Sequence, residues 1–208
     1  MKIIVLGATG GTGLELVRQG MEHGHAVTAF VRSPEKLQAF GDRLGVVQGN
    51  MLDSAELARA LRGQDAVVSG FGPRVPISKT DAHLLQNFAE VLTTAMQRAG
   101  IRRIVIESMA FLFKNAIIPP AYFLGRLFFR DLVADSSKME HVIAQSGLDW
   151  TIVRPPKLTD KPHTGKYRVR EDHLPLFGFS ISRADVADFM LKAAENHFAA
   201  GKIVGVCY

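Results

Sequence analysis

The chain has 208 residues, enough for one domain with small elaborations at about 150 residues per domain. Apolar residues make up 47% and charged residues 22%, which excludes a disordered, collagen-like or low-complexity chain and leaves material for a real core. The 25 basic and 20 acidic side chains leave a net charge of +5, suited to an anionic ligand, but they are scattered along the chain, so nucleic acid is not an expected partner.

The first apolar run, Ile3 to Leu6, meets glycines too soon to be a signal peptide and leads into a helix over Leu14 to Glu22. Ala26 to Val31 is the second strand. Ser33 followed by Pro34 reads as an N-cap with a first-turn proline, and Gly41 as the stop of that helix. Val46-Val47 marks the third strand, Ser54 opens a segment closed by Gly63, and Ala66 to Ser69 is the fourth strand. Leu84, Phe88, Val91, Leu92, Ala95, Met96 and Ala99 form one apolar helical face ending at Gly100. After a strand at Ile104 to Ile106, Ser137 with Glu140 predicts a capping box for a helix ending at Gly147. Thr151 to Val153 is a further strand. Ser182 with Asp185 is a second box, opening a helix with Val186, Phe189, Met190, Ala193 and Ala194 at core spacing, and Ile203 to Val206 is the last strand.

These strands are continuously apolar rather than alternating, as in a parallel sheet covered on both faces. Strand and helix alternate, so the expected class is α/β: a doubly wound parallel sheet, Rossmann-like, forming a single domain over 1–208. Two regions break the rhythm. One, at about 110–131, is aromatic; the other, at about 155–180, is proline-rich with a strand-like piece near Lys166 to Val169. Both begin beyond the carboxyl ends of strands, where ligands bind in such sheets, and form the expected substrate side. No apolar stretch is long enough to span a membrane, and the single cysteine, Cys207, excludes an internal disulfide and a cysteine-built zinc site. A cytoplasmic protein, monomeric or weakly dimeric, is expected.

Gly7-Ala8-Thr9-Gly10-Gly11-Thr12-Gly13 stands between the first strand and the first helix. The spacing of Gly7, Gly10 and Gly13 suits a turn that lets backbone N–H groups at a helix N-terminus meet a pyrophosphate. At the end of the second strand, nineteen residues past Gly13, an NAD-preferring protein would carry Asp or Glu; this chain has Arg32, then Ser33 and Lys36. A guanidinium there suits a 2′-phosphate, so NADP(H) is the expected cofactor, against the plainer reading of a solvated surface arginine. Asn50-Met51 after the third strand falls where the adenine rests, and Gly72 to Arg74 beside the expected cofactor channel.

With Ser146 to Pro156, these residues look like the atypical short-chain dehydrogenase/reductases with an NAD(P)-binding (NmrA-like) domain, and most resemble the flavin reductase / biliverdin-IXβ reductase group. The resemblance rests on Gly7 to Gly10, Val31-Arg32, Gly63 to Val67, Ala110-Phe111-Leu112, Pro155-Pro156 and Thr164-Gly165 with Tyr167. It implies NAD(P)H-dependent reduction of a planar conjugated acceptor, such as a flavin or linear tetrapyrrole, with Pro155 on the cofactor side. That group has a serine where this chain has Met109, next to Ser108, and a histidine where it has Lys157.

The Tyr-x-x-x-Lys pair of the larger superfamily is missing: Lys138 has a plausible place, but Ala134 stands four residues before it. Hydride transfer to a flavin needs stacked contact and a nearby cation more than a strong acid. Lys157 is the candidate cation, or an ordinary surface lysine, and Ser108 is the best-placed hydroxyl; these two are the catalytic candidates. Met109, Phe111, Phe113, Tyr122 and Phe123 are candidates for the apolar face against the acceptor, or else core or dimer contacts. His163 and His173 lie in the second insertion, and no metal site is expected. The leading reading is an NADPH-dependent reductase. Its alternatives are an NADP(H)-sensing regulator without turnover and a quinone or enone reductase.

Overall fold

The computed structural model describes residues 1–73, 83–113 and 129–208. Along the chain run β1 (Lys2–Leu6), α1 (Gly11–Glu22), β2 (Ala26–Val31), a 3₁₀ helix (Glu35–Arg43), β3 (Gly45–Gln48), α2 (Ser54–Leu61) and β4 (Ala66–Ser69). There follow α3 (Leu84–Ala99), β5 (Arg103–Glu107), a 3₁₀ turn (Ala110–Leu112), α4 (Arg130–Gln145) and β6 (Asp149–Arg154). The last third holds β7 (Lys157–Thr159), β8 (Arg168–Glu171), β9 (Ser180–Ser182), α5 (Arg183–Asn196) and β10 (Lys202–Cys207).

Eight strands form one sheet in the order β3-β2-β1-β4-β5-β6-β10-β8, parallel except for β8, which runs against β10 at the edge. This is the doubly wound, single-domain α/β fold expected. Side chains alternate between the faces of β1. Ile3 and Val5 pack with Leu16 and Val17 of α1 and Val186 and Met190 of α5, while Ile4 and Leu6 pack with Leu57, Phe88, Leu92 and Ile143 from α2, α3 and α4. Both faces are covered, hence the unbroken apolar runs.

The caps differ from the sequence reading in several places. Ser54 does open α2, and the cap before it is Asp53, its carboxylate accepting from Ala55 N at 2.8 Å and Glu56 N at 3.0 Å. Ser33 caps nothing: Pro34 precedes a 3₁₀ helix with no side-chain cap, and Gly41 (φ 60°) breaks that helix from inside. The Ser137–Glu140 box does not form, because α4 already begins at Arg130 and Ser137 lies exposed within it. The N-terminus of α3 is capped from another element, Asp135 of α4, which accepts from Leu85 N at 2.8 Å and Gln86 N at 3.0 Å. Ser182 does cap α5, accepting from Asp185 N and donating to the Asp185 carboxylate, both at 3.0 Å.

Asp185 does more than complete that box. Fully buried, it accepts from Thr164 N (2.9 Å), Thr164 Oγ1 (2.8 Å), Gly165 N (2.8 Å) and Tyr208 Oη (2.6 Å). Tyr167 Oη donates to Asp188 one turn further along, at 2.6 Å. The Thr164-Gly165-x-Tyr167 piece therefore ties the insertion to α5, and the short parallel pair β7–β9, absent from the sequence reading, closes it. Burial alone would raise the Asp185 carboxyl, but the hydrogen bonds from Tyr208, Thr164 and Gly165 outweigh it and hold the group below its ordinary range. Its contribution is therefore complete above the ordinary aspartate pKa and lost as pH falls through the lowered value. Asp185→Asn, which keeps the shape and removes the charge, is expected to lower unfolding free energy at pH 7 by roughly 2–4 kcal/mol in urea titrations, and by much less near pH 3.

Candidate functional site

The turn from β1 into α1 is shaped by what cannot fit in it. Gly7 has φ 74°, and a Cβ there would lie 2.7 Å from the Phe71 backbone; one at Gly13 would overlap the Gly7 carbonyl oxygen. Gly10 N donates to Gly7 O at 2.9 Å, and Gly10, the N-cap, supplies no side chain to the first turn of α1. No acidic residue lies in that turn, and Gly10 and Gly11 are exposed. Free N–H groups at the positive end of a helix dipole are thus left open toward solvent, a fitting seat for a phosphate group. The helix starts at Gly11, earlier than Leu14, because the glycines themselves form its first turn.

Thr9 is half-buried at this turn, but Thr12 points inward. Glu107, at the end of β5, meets it there: Glu107 Oε2, Gly13 N and Thr12 Cβ all lie 3.4 Å from the point that a Cβ on Gly70 would occupy. Burial pushes the Glu107 carboxyl up to about 7, against the opposing pull of the Thr12 hydroxyl and the Arg183 guanidinium. Arg183, the first residue of α5, lays its side chain over the turn, with Nε 2.6 Å from where a Cβ on Gly11 would stand. Its Nη1 pairs with Asp160 at 2.6 Å. The sequence reading missed both residues. Nothing local marks Glu107, and Arg183 stands between Ser182 and Asp185 of the capping box with no signal of its own.

At the end of β2, Arg32, Ser33 and Lys36 are exposed. Among the described residues no carboxylate pairs with Arg32, whose backbone carbonyl accepts from Gln48. Asn50 is occupied locally: its side chain accepts from Leu52 N at 3.0 Å, while its own N–H donates to Glu56. Met51 is half-buried beside the core, and Gly72 lies exposed after β4. Arg74, Tyr122 and Phe123 fall outside the described residues.

The hydroxyl of Ser108 is already committed. It donates to Glu140 Oε1 at 2.5 Å, and the same carboxylate receives Arg154 Nε at 2.9 Å and is also bonded by Arg154 Nη2. Arg154 stacks over Phe113 at 4.6 Å. Phe113 is therefore largely core, the alternative that the sequence left open, and it also lines a cavity of about 460 Å³ with Leu112, Arg154, Arg170, His173 and Leu174. Met109 and Phe111 are half-buried, Phe111 near Phe129 at 6.2 Å between ring centres. Pro155 is buried and accepts from Ala110 N at 3.0 Å, and Lys157, at the start of β7, is exposed. Lys138 is exposed on α4, and His163 lies 3.5 Å from Asp188.

The NAD(P)H-binding family matches residues 7–197, from the glycine turn to the end of α5. The chain belongs to that family. An Arabidopsis thaliana protein of uncharacterised function, described as chloroplastic, is 33% identical over 99% of this chain and 76% of its own length. The photosystem II assembly factor Ycf39 of Synechocystis is 31% identical over 74% of the chain. A Streptomyces griseus (4-alkanoyl-5-oxo-2,5-dihydrofuran-3-yl)methyl phosphate reductase is 33% identical over 74% of the chain. The chain spans less than half the length of these two, 44% and 46%. A short-chain dehydrogenase/reductase of Veillonella parvula, in complex with NADP, shares the fold with a TM-score of 0.79 at 20% identity, covering 100% of this chain and 94% of that one. An oxidoreductase of Lactococcus lactis does so with a TM-score of 0.84 at 21% identity, over 100% and 90%.

The turn fits what an NAD(P)H-binding protein needs: glycines wherever a Cβ would close the cradle, uncapped N–H groups, and a cation above them. Among the described residues no helix is long and apolar enough to cross a membrane. Glu107 makes the turn sensitive to pH. Its raised pKa means the native state retains a proton that the unfolded chain has lost, so this group's contribution is complete below about pH 4.5 and disappears as pH climbs through about 7. The difference amounts to about 3 kcal/mol. Glu107→Gln should gain about that much stability relative to wild type between pH 5 and pH 8 in urea titrations. Affinity for NADH, which lacks a titrating 2′-phosphate, should weaken in wild type above pH 7, where an ionised carboxylate stands behind the turn, and stay level in the variant.

Proposed function

We propose that this NAD(P)H-binding protein is an NADPH-dependent reductase of a planar conjugated acceptor, of which flavins and linear tetrapyrroles are examples. The observation that carries the coenzyme choice is Arg32: an exposed guanidinium at the end of β2, with Ser33 and Lys36 beside it and no acidic partner among the described residues. A carboxylate at that place would accept from the ribose hydroxyls and repel a 2′-phosphate, whereas a guanidinium attracts it. Arg183 supplies a second cation over the glycine turn, where it favours either coenzyme. The bound coenzyme, when reduced, supplies hydride from its nicotinamide ring.

The chain's own part is to position and shelter. Ala134 precludes a tyrosine-type proton shuttle on α4, so reduction must suit an acceptor that tolerates an anionic product. Lys157 is the cation assigned to that product, and Met109 and Phe111 the apolar wall. Ser108, bound to Glu140, helps hold the floor of the site and is not its acid. The substrate side is assigned to the two regions that break the rhythm in the sequence, about 110–131 and 155–180. The Streptomyces relative, a reductase by name of an oxo-dihydrofuran phosphate, supports a conjugated carbonyl among the acceptors. The Synechocystis assembly factor favours a second reading, a coenzyme-binding regulator without turnover.

Two measurements separate these. With NADPH and a panel of FMN, biliverdin, a quinone and an unsaturated lactone, the reductase reading expects repeated loss of nicotinamide absorbance with at least one acceptor, whereas binding without consumption supports the regulator. Arg32→Glu should weaken NADPH at least about tenfold and leave NADH nearly unchanged, while Arg183→Met should weaken both alike. Equal NADPH affinity in wild type and Arg32→Glu overturns the coenzyme assignment.

A further inference from the structure

At the end of the sheet away from the glycine turn, the chain leaves α1 through His23-Gly24-His25 and enters β2. The backbone there is fixed: His23 N donates to Gln19 O at 2.8 Å, His25 N to Gly20 O at 3.0 Å, and Gly24 takes φ 79°. Both imidazoles converge on one oxygen of Glu195, in the last turn of α5: His25 Nε2 at 2.7 Å and His23 Nδ1 at 3.2 Å from Oε1. The three ligand atoms all lie within 4.8 Å of one another, and the ring centres are 6.0 Å apart.

We infer that His23, His25 and Glu195 form a binding site for a divalent transition cation of the zinc class, independent of the coenzyme site. Two imidazole nitrogens and a carboxylate oxygen are the ligand types such an ion takes, at about 2.0–2.2 Å each, which sets tetrahedral donors about 3.3 Å apart. The two histidine–carboxylate separations, 2.7 and 3.2 Å, fall just below that value and the third is at most 4.8 Å, so movements of roughly an ångström within side chains bring all three onto one ion. His25 is almost covered and Glu195 partly so, while His23 remains open to solvent. The ion would keep one position for water, the arrangement of an accessible rather than a closed structural site. The site lies a length of α1 away from the phosphate-binding end, about 18 Å for its 12 residues. An ion there joins the C-terminal ends of α1 and α5, the two helices whose N-terminal ends carry Gly11 and Arg183. Its sequence signal is slight, because Glu195 stands 170 residues from His25.

The test uses the full chain, untagged and stripped with a chelator. Titration with zinc chloride in a calorimeter should show one equivalent bound, and cobalt(II) chloride should give the intense visible bands of a four-coordinate ion. Zinc should raise the melting temperature of wild type. His25→Ala and Glu195→Ala should each weaken zinc by more than the roughly 10–100-fold that follows loss of an outer-shell partner. Their folding is checked by circular dichroism and by unchanged NADPH affinity, and a His23→Ala variant repeats the measurement should either fail to fold. No zinc heat in wild type, zinc affinity undiminished in all three variants, or only the weak bands of six-coordinate cobalt overturns the site.

Discussion

The Gly7 carbonyl and the backbone of Gly13 approach so closely that no side chain can stand between them. Everything at the coenzyme turn depends on this approach. It brings the axis of α1 down onto the end of β1, so that the first N–H groups of the helix emerge at the sheet's carboxyl edge. Because the same residues form the first helical turn, no side chain intervenes to cap them. A helix start without a cap is ordinarily a loss of about 1 kcal/mol. Here Ile3 and Val5 of β1 and Leu16 and Val17 of α1 are fully buried in one cluster, and that apolar contact holds the uncapped end in place.

The electrostatics around the turn are layered. Beside Thr12 and Gly13 lies half-buried Glu107, whose carboxyl is pushed up to about 7 by burial. In front lies Arg183, held by Asp160, which is almost wholly exposed and so contributes little restraint. An arriving phosphate competes with one solvated carboxylate for a guanidinium already in position. Further along, Arg32 is exposed and meets no such competitor among the described residues.

The alternation of strand and helix was legible because each strand is buried on both faces, and the glycine turn because its chemistry depends on the absence of side chains. The helix after β2 and the opening of α4 were misread for a common reason. Ser33 and Ser137 are good caps in isolation, but Pro34 sets a 3₁₀ turn without help, and α4 continues N-terminally past Ser137 to Arg130. Local propensity lost to tertiary context in both. Asp135 capping α3 from α4, and Glu107 rising behind Thr12, depend on contacts between residues distant in sequence, and no spacing rule reaches them. The Thr164-Gly165-x-Tyr167 piece was noticed as a resemblance, yet its physical meaning appears only with Asp185 and Asp188 opposite it.

The polar network of Ser108, Glu140 and Arg154 shows why this chain is poorly suited to the proton-relay chemistry of tyrosine-dependent dehydrogenases. Glu140 is almost completely buried and takes three hydrogen bonds, two of them from a guanidinium that is itself stacked on Phe113. Removing either ion leaves an unpaired buried charge, at a cost of roughly 3–5 kcal/mol, so the group is fixed by stability. A serine that donates to such a carboxylate is held in one orientation. The Ser108 hydroxyl is thus part of a structural brace. Beside this brace Met109 and Phe111 stay half-buried and Lys157 exposed, none of them drawn into the network.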